Sequence, residues 1–99
     1  MKKKFAFILM GNHYTPVEHR ACFETENQIT YIRTVKSFED VKETIEELVK
    51  DGVGAVELCG AFGKERADEI VAYTDNKLAV GFVVHNPEQD ELFKNFFGK

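Results

Sequence analysis

Short apolar runs alternate with helical stripes along 99 residues, and this rhythm constrains the chain more than any other feature. Residues 4–10 form an apolar run closed by Gly11 and read as a buried strand. Residues 28–35, with Ile29, Tyr31, Ile32 and Val35, carry the β-branched and aromatic side chains that suit a second strand. Residues 53–59 and 78–84 read as a third and a fourth. Between them lie segments with helical spacing. Thr15-Pro16-Val17-Glu18 resembles a helix start, with Thr15 as cap, Pro16 in the first position and Glu18 closing a capping box, so a weak first helix is expected to about residue 25. Ser37 is placed to cap a second helix, whose apolar face is Phe38, Val41, Ile45 and Leu48, and Gly52 stands where a left-handed helix end needs glycine. A third helix follows Gly63 with Ala67, Ile70 and Val71 inward, and a fourth follows Asn86-Pro87 with a stripe of Leu92, Phe93, Phe96 and Phe97.

The expected fold is therefore α/β, with four alternating β-α units and a mainly parallel four-stranded sheet joined by right-handed crossovers. An α+β sandwich with helices on one face is the alternative. The length fits a single domain over residues 1–99. A domain this small buries a limited share of its surface, and nine Phe residues are a heavy aromatic load, so a homo-oligomer is expected. The net charge of −4 leaves Lys2-Lys3-Lys4 as the one basic cluster, which argues against a nucleic-acid partner. No apolar stretch approaches a membrane span. The apolar run after the lysines is too short for a signal peptide and lacks a small-residue cleavage site. Cys22 and Cys59 show no CxxC spacing, and a reduced, cytoplasmic protein is the natural reading.

In an open parallel sheet, ligands bind beyond the carboxyl ends of the strands. That rule selects Gly11-Asn12-His13-Tyr14, Cys59-Gly60-Ala61-Phe62-Gly63 and His85-Asn86-Pro87. The candidate catalytic groups are Glu57, His85, His13 and Cys59, and the candidate ligand-binding residues are Asn12, Gly60, Gly63 and Asn86. Glu57 lies inside an apolar strand, where a lone carboxylate is costly. It reads either as half of a structural ion pair with Arg33 or as a general acid or base. Alternation along the strand puts Glu57 and Cys59 on one face. The histidines suit proton transfer, but no HxH or HExxH spacing points to a metal, and no cofactor motif is present. The Gly60–Lys64 segment lacks the spacing and the Ser or Thr of a phosphate loop. The function expected is binding of, or acid–base chemistry on, a small polar or anionic metabolite at the strand ends. The alternative is a non-catalytic self-associating module. Whether the chain is an enzyme stays open.

Three segments together carry a wider likeness: Phe5–Gly11 with His13, Gly52–Gly63, and Val83–Asp90. With them the chain resembles a family of uncharacterised prokaryotic domains of about 100 residues. The resemblance implies a domain of unknown function and supplies no catalytic residues.

Overall fold

The computed structural model describes residues 1–98. Its five strands are β1 (Lys3–Met10), β2 (Ala21–Glu24), β3 (Gln28–Val35), β4 (Ala55–Leu58) and β5 (Ala79–Phe82). Its helices are α1 (Val41–Lys50), α2 (Gly63–Tyr73) and α3 (Asp90–Phe97), with short 3-10 turns ahead of α1 and α3. The sheet order is β2-β3-β1-β4-β5. All neighbours are parallel except β2, which pairs antiparallel with β3 at one edge. The fold is thus α/β and mostly parallel, as expected, but it is not built of four β-α units.

The first expected helix is replaced by a hairpin. The Thr15 carbonyl accepts from the Glu18 and His19 amides, and the helix goes no further than that turn. The chain then enters β2, and Thr25 shapes the loop to β3, its hydroxyl accepting from the Asn27 and Gln28 amides. Residues 15–18 carry a genuine start signal, but no apolar helical face follows it, and strand pairing with β3 wins.

Losing that helix leaves one sheet face without a helical layer. The crossovers from β3 to β4 and from β4 to β5 advance in the same direction across the sheet, so right-handedness places α1 and α2 on one side. Packing agrees. Val41, Ile45 and Leu48 of α1 and Ala67 and Ile70 of α2 form a single buried cluster with Ala6, Ile8, Val35, Val56 and Leu58. Those strand residues share one face by register. Phe5, Phe7, Ile32 and Ala55 point the other way and are only half-buried.

α3 joins neither layer. It has no buried residue, and Leu92, Phe96 and Phe97 of its apolar stripe are 62%, 80% and 71% exposed. The radius of gyration, 14.1 Å, exceeds the about 13 Å usual for a domain of this length, consistent with a projecting element. No helix among the described residues is long and apolar enough to cross a membrane.

One polar cluster ties the helix layer to the sheet. The Tyr31 hydroxyl donates to Asp51 Oδ2 at 2.5 Å, and Lys4 Nζ donates to the Asp51 carbonyl at 2.7 Å. The bond from Tyr31, with Lys4 beside it, holds the Asp51 carboxyl below its ordinary value of 3.8. A depressed folded-state pKa contributes stability that is present above the unfolded value and is lost as pH falls through the folded one. Asp51→Asn is therefore expected to destabilise the protein at neutral pH and to match the wild type once the pH lies well below 3.8. Urea unfolding of both proteins across that range checks this; a difference that persists at low pH would mean that the ionised carboxylate is not what matters.

Candidate functional site

Because β1, β4 and β5 run parallel, the segments that follow them emerge at one end of the sheet. Leu9, Met10, His13, Tyr14, Cys59, Gly60, Ala61 and His85 line a cleft there together with Phe96 and Phe97. Its volume is about 560 Å³, within the range of small-molecule sites.

His13 is held by the loop after β1. The Gly11 amide donates to the Val35 carbonyl at 3.0 Å, and the Tyr14 amide returns to the Gly11 carbonyl at 3.2 Å. The imidazole folds back over Gly11, where a Cβ would lie 2.7 Å from His13 Cε1, and its ring is tilted against Tyr14 with centroids 4.2 Å apart. Further along, His19 acts as a staple. Its Nδ1 accepts from the Thr15 amide at 2.8 Å, and its carbonyl accepts from the buried Thr34 hydroxyl at 2.8 Å.

His85 is fixed from two sides. Its ring stacks on Phe93 of α3 at 3.6 Å with an interplanar angle of 12°. Its Nε2 lies 3.2 Å from where a Gly60 Cβ would stand, so the close approach of ring to backbone depends on glycine. Cys59 follows the last residue of β4. Its Sγ accepts from the Met10 amide at 3.3 Å, and it packs against the buried cluster on the helix side. Its thiol is free.

The cleft therefore brings together His13, Cys59, Gly60 and His85. It does not include Glu57, Asn12, Gly63 or Asn86. Asn86 caps the 3-10 turn before α3, its Oδ1 accepting from the Glu88 amide at 3.2 Å. Gly63 opens α2 with φ of 78°.

Glu57 needs two corrections. It pairs in register with Phe7 and Gly81, whereas Arg33 pairs with Ile8, so Glu57 and Arg33 project from opposite faces and cannot form the expected ion pair. The Arg33 guanidinium instead donates to the Ala21 and Ile32 carbonyls and lies 4.8 Å from the Tyr31 ring centroid. Nor do Glu57 and Cys59 share surroundings. Cys59 lies beyond the strand and turns toward the helix-side core, while the Glu57 carboxylate rests on Gly81 on the bare face. No hydrogen bond or ion pair to Glu57 is present among the described residues.

Phe96 and Phe97, which line the cleft, and Phe93, which stacks on His85, are the residues that the strand-end rule does not reach. The α3 phenylalanines carry the 3.6-residue rhythm of a core stripe, and nothing in their spacing marks them as a cleft wall. Among the described residues, no three His, Cys, Asp or Glu side chains are grouped to hold a metal ion.

A model of a family of unknown function, DUF6506, matches residues 3–98. No curated protein and no solved structure matches the chain.

Proposed function

The chain belongs to the DUF6506 family, a family of unknown function, and from the geometry of the cleft we propose that it binds a small anionic metabolite there. The observation that carries this reading is the meeting of His13, His85 and Cys59 around one cleft with apolar and aromatic walls. An imidazole ring can both donate and accept a proton, so two of them can hold a carboxylate or phosphate by hydrogen bonds and pass a proton to it or take one from it. The walls formed by Leu9, Met10, Phe96 and Phe97 suit the apolar body of such a molecule. Any reaction would be an acid–base step among these groups. Glu57, outside the cleft, has no part in it.

A reducing, cytoplasmic setting belongs to the same reading, supported by two free thiols, of which that of Cys22 is exposed. A second reading, self-association, is favoured by a different observation: the apolar sheet face that no helix covers.

Thermal unfolding in the presence of a panel of small carboxylates and phosphates tests the ligand reading. Ligand at about 100 times its dissociation constant stabilises the native state by about 2.7 kcal/mol, which is several degrees for a domain of this size. At least one compound is expected to raise the melting temperature of the wild type. The same shift should be lost in His13→Ala and His85→Ala and kept in Lys50→Ala. No shift from any compound, or a shift kept in both histidine variants, refutes the reading.

A further inference from the structure

We propose that a second copy of this chain covers the bare sheet face, in a two-fold register set by ion pairs between Lys3 of one copy and Glu57 of the other. The proposal rests on the self-association reading and adds to it a face, a register and the charges that fix it.

The face presents Phe5, Phe7, Phe23, Ile32, Ala55 and Ala79, with Gln28 and Thr30 among them, and register places all of these on one side of the sheet; at its carboxyl end the His19 loop covers Thr34. Phe23 is 57% exposed. Five strands about 4.8 Å apart, each four to eight residues long, make a patch on the order of 400 Å² in projection. Side-chain relief raises the accessible area above that figure. The patch also continues past Leu9 to the exposed Phe96 and Phe97, which share the cleft wall with it.

The charges select the occupant. Within Lys2-Lys3-Lys4, the flanking lysines turn to the helix side and each has an acid there: Lys2 pairs with Glu24, and Lys4 lies 3.7 Å from Asp51. Lys3 alternates onto the bare face, and no ion pair to it is present among the described residues. Glu57 is the carboxylate amid that face, equally without a partner. Within one chain the two are too far apart to meet. Lys3 stands four residues before Phe7 on β1, about 13 Å along the strand, and Glu57 stands beside Phe7 on β4.

Symmetry brings them together. The midpoint between them falls at the paired residues Phe5 and Ala55, next to the central strand of the sheet. A two-fold axis in the plane of the face, passing through that point at right angles to the line joining them, lays each Lys3 over the partner's Glu57. The same axis crosses the two sheets at roughly 40°, near the aligned class of sheet packing. One operation thus covers the apolar patch and pairs both otherwise unpaired charges, which an isologous interface requires.

Sedimentation equilibrium on the full chain tests this. The wild type is expected at about twice the 11.3 kDa chain mass at micromolar concentration. Phe7→Asp should be monomeric, with far-UV circular dichroism confirming its fold. Lys3→Glu, at an exposed position, and Glu57→Lys should each weaken the dimer at least about tenfold, and the double variant should recover to within about threefold of the wild type. A monomeric wild type at about 100 μM would leave the face to another partner and overturn both self-association and this register. A dimer indifferent to Phe7→Asp overturns the face. A dimer weakened by neither charge variant, or not rescued by the double, overturns the register while self-association stands.

Discussion

Leu58→Ala is expected to lower the free energy of unfolding by about 2–5 kcal/mol, a large part of the total for a domain this small. Leu58 is 0% exposed at the end of β4 and belongs to the single buried cluster that joins sheet and helices. Truncating it removes burial and leaves a cavity that Ile8 and Val56, equally buried neighbours held in strands, cannot collapse to fill. Leu92→Ala is the informative contrast. Leu92 is 62% exposed on α3, and its truncation should change the stability of the isolated chain by no more than about 0.5 kcal/mol. Urea unfolding of both variants at low protein concentration measures the two side by side. Equal costs would mean that α3 is packed and that the division between helix-covered face and bare face is wrong.

That division was only partly legible in the sequence. β1 and β3 announce themselves because each is a long apolar or β-branched run, and the helices α1 and α2 because their inward residues keep helical spacing beside sheet-forming neighbours. β2 does not. Its four residues are all exposed, and they follow a segment, Thr15 to Glu18, that satisfies every local rule for starting a helix. A start signal reports the first turn and says nothing of whether a face to bury follows it. The consequence is global, since the missing crossover helix is the one whose absence leaves the second face uncovered.

The site shows the same limit. The loops that bear His13, Cys59 and His85 could be brought to one rim from topology alone, because parallel strands put their following loops at one end. The partner of Glu57 could not be found that way. Alternation tells which residues of one strand share a face, but not how that strand is registered against its neighbours. Arg33 aligns with Ile8 and Glu57 with Phe7, and this offset of one residue puts them on opposite sides. The phenylalanines of α3 meet the same limit. A helical stripe shows that something apolar meets that face, and the sequence does not say whether it is the chain's own core, a ligand or another copy.

Gly11→Ala is expected to leave the fold intact and to dismantle the histidine wall of the cleft. The Gly11 backbone is not in the left-handed region, so alanine carries no conformational penalty there and can even restrict the unfolded chain slightly. The obstacle is local. The new methyl would stand 2.7 Å from His13 Cε1, 3.1 Å from Nδ1 and 3.1 Å from Tyr14 Cε2. The first distance is too short for contact and the other two are tight, and the exposed His13 ring and the half-buried Tyr14 ring move more cheaply than a strand end held by the Gly11–Val35 hydrogen bond. Both rings should swing away, separating a pair whose centroids now lie 4.2 Å apart. Proton NMR reads this without any ligand, because the His13 Cε1 proton loses the ring current of Tyr14 and shifts toward the position of an exposed imidazole. The melting temperature should stay within about 4–8 °C of the wild type, the shift that about 1 kcal/mol gives in a domain of this size. Any compound that stabilises the wild type through the cleft should bind the variant at least about tenfold more weakly, the consequence of misplacing one charged or hydrogen-bonding contact. An unchanged His13 resonance in a folded variant would show that the ring does not rest on Gly11, and the candidate site would lose its first histidine.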